Sequence, residues 1–332
     1  LKAKKPIIVT GGAGLIGSAI VWQLNQMGES NVIIVDHLGT STKWQNLRAL
    51  SFLDYMEKET FIAMVRDKSL PFTPATIFHL GACSSTTEND ATYLINNNFL
   101  YTRDLATCAL NHGVRFIYAS SAATYGDGFQ GYNDDEKQLD KLRPLNMYGY
   151  SKQLFDQWVV RHKLNDRLVG LKYFNVFGPN EWHKGDMRSM VLKAFEQIQS
   201  AGKIRLFRSH HPDYEDGKQL RDFIYVKDAA AMTVAFHEHA DVNGIYNIGT
   251  GQARSWVDLA NAVFTALEKS PQIEFIEMPE KLRNRYQYFT MAETAKLKKN
   301  NLPVSRWSLE SAIADYVRNY LLPGNHLGDG EN

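Results

Sequence analysis

Short apolar runs rich in β-branched residues recur through the first half of the chain, at residues 6–10, 31–36, 75–79, 114–118 and 168–173. Between them lie stretches with helical spacing of apolar positions, as at 18–27, 97–111 and 149–162. Buried strands that alternate with helices predict a parallel sheet covered on both faces. The second half is less regular. Strands are predicted near 204–207, 222–226, 245–248 and 273–276, and helices near 189–200, 226–239, 255–269 and 308–321. Residues 208–220 are polar, carry Pro212 and Gly217, and read as a surface loop. The stretch after Pro323 is polar and glycine-rich and is expected to fray. The fold class that follows is α/β, a doubly wound parallel sheet with a smaller, mixed α/β C-terminal domain. The expected division assigns 1–174 with a return segment 222–252 to the sheet domain. It assigns 175–221 with 253–322 to the second domain, and 323–332 to a tail.

Composition narrows the partners. The 332 residues include 37 Lys and Arg against 36 Asp and Glu, a net charge of +1. With 44% apolar and 22% charged residues this is an ordinary globular composition, which excludes disorder and fibrous repeats. A chain this long buries roughly 75% of its unfolded surface. Balanced charge argues against nucleic acid or an anionic membrane as partner. No apolar run is long enough to span a bilayer. Lys2, Lys4 and Lys5 precede an apolar stretch, but Gly11, Gly12, Gly14 and Gly17 break it, so a signal-peptide reading is rejected and a cytoplasmic location expected. Two cysteines, Cys83 and Cys108, make neither a disulfide framework nor a zinc cluster and are expected to be buried thiols. His210, His211, Asp213, Glu215 and Asp216 fit no standard ligand spacing, so no metal is expected.

The first chemical signal is Thr10 to Ser18, where Gly11, Gly14 and Gly17 sit between a strand and a helix. Glycines there permit a tight turn and close backbone approach to a pyrophosphate at a helix N-terminus. A second strand ends in Asp36, about 20 residues beyond Gly17, where a ribose-binding acid is expected. This is the fingerprint of a Rossmann-type nicotinamide site. Asp36 favours NAD, whereas Lys43 and Lys58 lie downstream where they could neutralise a 2′-phosphate or be plain surface lysines. Spacing alone leaves NAD and NADP open.

The second signal is Tyr148 and Lys152, which share a helix face at i and i+4. A neighbouring ammonium is expected to lower the phenol's pKa and make Tyr148 a usable acid/base group. Tyr150 is off that face. Ser120 or Ser121, at the end of a strand, could orient the phenol or a substrate hydroxyl.

Together these residues resemble the extended short-chain dehydrogenase/reductase family, over nearly the whole chain. The resemblance includes Leu80, Gly81 and Ala82, the strand end at Ser120 and Ser121, Arg221-Asp222-Phe223, and Asn247 to Gly251. Members act mostly on nucleotide-activated sugars. Residues 79–88, 119–126, 144–152 and 173–179, followed by Glu181, His183, Lys184 and Gly185, narrow it to the sugar-nucleotide epimerases. They imply an ADP-heptose as substrate and a homo-oligomer, with a pentamer as one candidate. The resemblance implies Tyr148, Lys152, Lys184 and Ser121 as catalytic residues. It implies Gly11, Gly14, Leu15, Ile16, Gly17, Asp36, His37, Lys43, Lys58, Leu80, Gly81, Ala82, Cys83, Ser84, Asn97, Lys152, Val176 and Lys184 around NADP, with NAD as the other candidate. It implies Asn175, Asp186, Lys193, Phe207, Arg208, Ser209, His210, Arg221 and Tyr286 around the substrate. Arg208 replaces an acid of the best-known members, the loop after it is longer, and Asp186 and Lys193 stand in place of Ser and His. Those departures touch substrate contacts rather than redox chemistry. Sugar 4,6-dehydratases carry two carboxylate side chains where this chain has Ala122 and Ala123, which disfavours elimination. A UDP-hexose 4-epimerase is the nearest rival. A redox-silent binding protein on the same fold is a further one, against which the intact Tyr148 and Lys152 argue.

Overall fold

The structure is a computed structural model and describes residues 4–283 and 286–330. In chain order the first half contains β1 (Ile7–Thr10), α1 (Leu15–Gln26), β2 (Val32–Asp36), β3 (Asp54–Glu57), α2 (Lys58–Arg66) and β4 (Thr76–His79). It continues with α3 (Ala91–Leu94), a π-helical stretch (Ile95–Leu100), α4 (Tyr101–Asn111), β5 (Arg115–Ser121), α5 (Met147–Arg161) and β6 (Val169–Tyr173). The second half holds β7 (Asn175–Phe177), α6 (Met190–Ala201), β8 (Ile204–Phe207), β9 (Leu220–Tyr225), α7 (Val226–Glu238) and β10 (Gly244–Ile248). It closes with β11 (Ala253–Ser255), α8 (Trp256–Ala266), β12 (Ile273–Ile276), α9 (Glu280–Arg283), α10 (Ala295–Lys299) and α11 (Leu309–Tyr316).

Seven parallel strands form the central sheet in the order β10-β6-β5-β4-β1-β2-β3. The period-2 geometry of a strand sorts its side chains to two faces. Ile7, Val9, Ile34, Phe78 and Ile117 enter one apolar core with α1 and α7. Ile8, Ile33, Val35, Ile77, Phe116 and Tyr118 enter another with residues of α2, α4 and α5. Both faces are therefore covered, which is why these strands read as unbroken apolar runs. Strand order reverses between β4 and β1, and there the strand ends diverge into a crevice. Buried His79 fastens that point: its Nδ1 lies 2.6 Å from Thr10 Oγ1 and its Nε2 2.8 Å from Thr102 Oγ1. Burial lowers its pKa to about 3, so it stays neutral. Two small sheets, β11-β9-β7 and β12-β8, lie beyond the central one.

Some elements differ from expectation. Strand β3 and helix α2 were not legible, because edge strand β3 reads Asp-Tyr-Met-Glu and is buried nowhere along its length. The 208–220 segment is a loop only as far as residue 219, since β9 begins at Leu220, and Gly217 and Gln219 are buried. Both cysteines are half-buried rather than buried.

The tail does not fray through residue 330; residues 331–332 lie outside those described. Leu327 is fully buried, and its backbone N–H donates to Asn180 Oδ1 at 3.0 Å. Asp329 pairs with Arg48 at 2.5 Å and accepts the His326 backbone N–H. One apolar side chain and one carboxylate suffice to pin a stretch whose composition is otherwise that of a linker.

Candidate active site

The crevice at the sheet reversal opens into a cavity of about 1320 Å³, larger than a site for one drug-sized molecule needs. Its first wall is the glycine turn. Gly11 has a positive φ of 67°, and a Cβ there would meet the Gly81 backbone nitrogen at 2.7 Å. A Cβ on Gly17 would strike Gly11 O at 2.0 Å. Gly14 is the N-cap of α1 and offers no side-chain cap, so the first N–H groups of that helix are left for an anion. Asp36 is buried at the end of β2, accepting from the backbone N–H groups of Ala13 at 2.8 Å and His37 at 2.7 Å. Lys43 Nζ donates to the same carboxylate at 2.6 Å. A close glycine cradle, a bare helix end and a held acid fit a dinucleotide.

The second wall is α5. Asn146 caps it by accepting from the Gly149 N–H at 2.8 Å. The helix then carries Tyr148 and Lys152 into the cavity, and leaves Tyr150 exposed. Tyr148 is hydrogen-bonded to Ser121, which N-caps the turn after β5. Ser120 points the other way and donates to Asp156 Oδ2 at 2.7 Å, so Ser121 is the serine that serves the phenol. Lys152 Nζ donates to Ala119 O at 2.9 Å. Burial lowers its pKa to about 8, against the pull of Asp156 and Cys83 in the other direction. Tyr148 differs from expectation: burial raises its pKa and the Ser121 bond only partly offsets this. The ammonium meant to lower it is turned toward the Ala119 carbonyl.

The third wall is the segment Trp182–Met187, kinked at Gly185 with φ 53°. It is bracketed by Glu181, a fully buried carboxylate that accepts from Ser189 Oγ at 2.6 Å and Tyr316 Oη at 3.1 Å. The segment brings Lys184 and His183 to the cavity. Burial lowers the pKa of Lys184, Glu181 opposes that shift, and Lys193 adds to it. Burial also lowers His183 to about 4, helped by Lys43 and Lys184.

The cavity gathers Gly11, Gly14, Leu15, Ile16, Gly17, Asp36, Lys43, Leu80, Gly81, Ala82, Cys83 and Ser84 with Ser121, Tyr148, Lys152, Asn175, Val176, Lys184, Lys193, Phe207 and Tyr286. Other predicted residues lie off its lining. Lys58 Nζ bonds Asn97 Oδ1 at 3.0 Å, and the His37 ring faces Glu57 Oε1 at 2.8 Å. Asp186 is exposed; its carbonyl, not its carboxylate, accepts from Lys193 Nζ at 2.7 Å. Arg208 pairs with Asp216 at 2.7 Å, and the Ser209 N–H donates to the same carboxylate. His210 lies 3.3 Å from Glu277. Arg221 is buried behind the lining, with its guanidinium 5.1 Å from the Tyr286 ring centre and 5.6 Å from that of Trp256.

Two lining residues, His183 and Trp256, and one buried residue behind the lining, Asn98, escaped the sequence reading. His183 belongs to the segment that flagged Lys184 but was assigned no role. Trp256, at the start of α8, also lines the cavity and belongs to no motif. Asn98, buried in the π-helical stretch, accepts from the Cys83 N–H at 2.9 Å and donates to Ser151 Oγ at 3.0 Å, and so ties the β4 loop to α5. Such widened turns gather at functional sites, yet nothing in the local spacing announces one.

The chain belongs to the NAD dependent epimerase/dehydratase family, whose model matches residues 7–249. It is 53% identical over 314 residues to the ADP-L-glycero-D-manno-heptose-6-epimerase of Nitratidesulfovibrio vulgaris strain Hildenborough, covering 95% of this chain and 97% of that one. The enzyme of the same name from Fusobacterium nucleatum is 46% identical over 324 residues, covering 95% and 98%. The crystal structure of the Helicobacter pylori ADP-L-glycero-D-manno-heptose-6-epimerase superimposes with a TM-score of 0.80 at 27% identity, covering 95% and 96%. Among the described residues no helix is long and apolar enough to cross a membrane.

Proposed function

We propose that this chain is an NADP-dependent epimerase that inverts C6 of ADP-D-glycero-D-manno-heptose to give ADP-L-glycero-D-manno-heptose, a supply of heptose for the lipopolysaccharide inner core. The observation that carries the reading is one cavity with acid/base side chains on two walls: Tyr148 with Lys152 and Ser121, and Lys184.

A carbinol carbon has no acidic C–H, so inversion by direct deprotonation is unfavourable. Oxidation to a ketone removes that obstacle. Bound nicotinamide supplies one thing, reversible acceptance of the C6 hydrogen as hydride. Tyr148 takes the hydroxyl proton and Ser121 orients the phenol; Lys152, held on the Ala119 carbonyl, must turn toward the phenol to favour its ionised form. The flat 6-keto group then turns, takes the hydride back on its other face, and receives a proton on oxygen from a different direction. Lys184, on the opposite wall, is suited to that second transfer because burial makes its proton easier to release. Gly11, Gly14 and Gly17 with the first turn of α1 hold the pyrophosphate. Asp36 and Lys43 together hold the adenosine ribose, and the ammonium beside the acid is what favours NADP over NAD. Among the described residues Arg221 has no carboxylate partner and donates to the Leu220 and Gln287 carbonyls behind the Tyr286 ring, so it reaches the substrate diphosphate only if that ring moves aside. A homo-oligomer is part of this proposal.

Purified protein should release NADP on denaturation and convert the D-glycero sugar nucleotide to its 6-epimer, followed by NMR. Absence of epimerisation at C6 with cofactor bound would exclude the assignment.

A further inference from the structure

Directly behind the catalytic wall lies an ion pair that the proposed chemistry does not use. Asp156, on α5, and Lys172, on β6, are both fully buried, with Nζ and Oδ2 2.8 Å apart. The carboxylate accepts two more bonds, from Ser120 Oγ at 2.7 Å and from Tyr118 Oη at 3.0 Å. The ammonium donates to Thr124 Oγ1 at 2.6 Å and lies 5.0 Å from the Tyr125 ring centre. Thr124 Oγ1 in turn donates to Ser121 O at 2.8 Å.

These bonds converge on one short stretch. Asp156 holds Ser120, and Lys172 holds Ser121 through Thr124. Between them they fix the strand end whose Ala119 carbonyl receives Lys152 and whose Ser121 side chain receives Tyr148. A buried ion pair is no bargain for stability, because desolvation offsets its attraction and an apolar pair of the same shape often does as well. Its placement here asks for another reason. Asp156 lies one helical turn beyond Lys152 and two beyond Tyr148, so all three share a face.

We propose that Asp156 and Lys172 form a positioning pair for this active site, which fixes the 119–121 strand end against α5 and sets the charge that Lys152 meets. The proposal rests on Tyr148 and Lys152 being the acid/base pair. Asp156 on α5 and Cys83 after β4 act on Lys152 electrostatically, and His79 at the end of β4 feels its ammonium. Tyr148 on α5 and Tyr173 of β6 line the same cavity, and Lys172 of β6 meets this group through Asp156. His79 is neutral, so Asp156 is the neighbour through which the pair acts on Lys152.

The two charges have opposite signs, and that makes the pair testable. Removing the carboxylate (Asp156→Asn) takes away the charge that favours the Lys152 ammonium and should move its deprotonation to lower pH by about one unit. Removing the ammonium (Lys172→Met) leaves a carboxylate still held by Tyr118 and Ser120, and should move it to higher pH. The double variant should fall between the two single variants. The readouts are the alkaline limb of the kcat/KM profile and, independently of turnover, the pH dependence of Lys152 acetylation by acetic anhydride, measured by mass spectrometry. Asp156→Glu should regain part of the wild-type profile. A purely structural pair would lower the melting temperature in both single variants without shifting the limbs apart; shifts of the same sign, or none, overturn the proposal. Tyr148→Phe separates the two readings. If it keeps wild-type turnover, the acid/base assignment itself is wrong. If it is inactive while the limbs stay together, only the positioning pair is wrong.

Discussion

Two lysines face the same cavity from opposite walls, and burial lowers the pKa of both. They are held in different ways. Lys152 stands on a fifteen-residue helix, on one face with Tyr148 and Asp156, over a strand end fixed by hydrogen bonds. Lys184 stands on a kinked segment with no regular helix beneath it, tied down by Glu181, Tyr316 and the chain's own C-terminal stretch through Asn180. A site can take one acid/base group from local geometry and the other from long-range packing. The two should therefore fail differently.

The largest effect should come from the helix wall. Tyr148→Phe keeps the ring and removes the transferable proton, so kcat should fall about 10²–10⁴-fold while bound cofactor is retained. Lys184→Met should also lower kcat by about 10²-fold or more, with KM changed less. Turnover at the wild-type rate in Lys184→Met would break the comparison, leaving one working wall. Next in size is a pH effect. The proposed mechanism uses Lys152, at about 8, as the ammonium, so it predicts full activity below that pH and a decline as pH rises through it. A flat profile up to pH 10 would contradict this.

Stability should distinguish the walls as well. Leu327→Ala empties a fully buried position that holds the Asn180 side of the Lys184 wall. It should cost roughly 2–5 kcal/mol in denaturant unfolding, and lower turnover without moving the Lys152 limb. The smallest effect should be at Arg208, paired with Asp216 on the surface and away from the cavity. Arg208→Ala should change stability by less than about 1 kcal/mol and leave the substrate KM within about twofold; a large rise in KM would return it to the substrate site.

The same contrast explains what was legible in the sequence. The helix wall is encoded locally. Glycine spacing, the acid at the end of β2 and a Tyr and Lys four apart each need only a few neighbouring residues, so strand, turn and helix could be read together. The Lys184 wall is not local. Its shape depends on Glu181 meeting Tyr316, and on Asn46, Asn180 and Leu327 meeting across most of the chain. No period or spacing encodes such contacts, and Lys184 was visible only through resemblance. Ser120 and Ser121 show the limit at a finer scale. The strand end was readable, but which serine served the phenol depended on Asp156, one helix away. Arg208, Ser209 and His210 sit off the lining for a related reason, since they meet carboxylates far along the chain or within the longer loop, Glu277 and Asp216.

The central claim is that C6 is inverted by lending its hydrogen and taking it back. The direct test is to supply ADP-D-glycero-D-manno-heptose deuterated at C6 to the enzyme in ordinary water and examine the 6-epimer by NMR. Retention of the deuterium at C6 is the predicted result. Its replacement by hydrogen from solvent would mean that C6 is deprotonated instead, and would contradict the account.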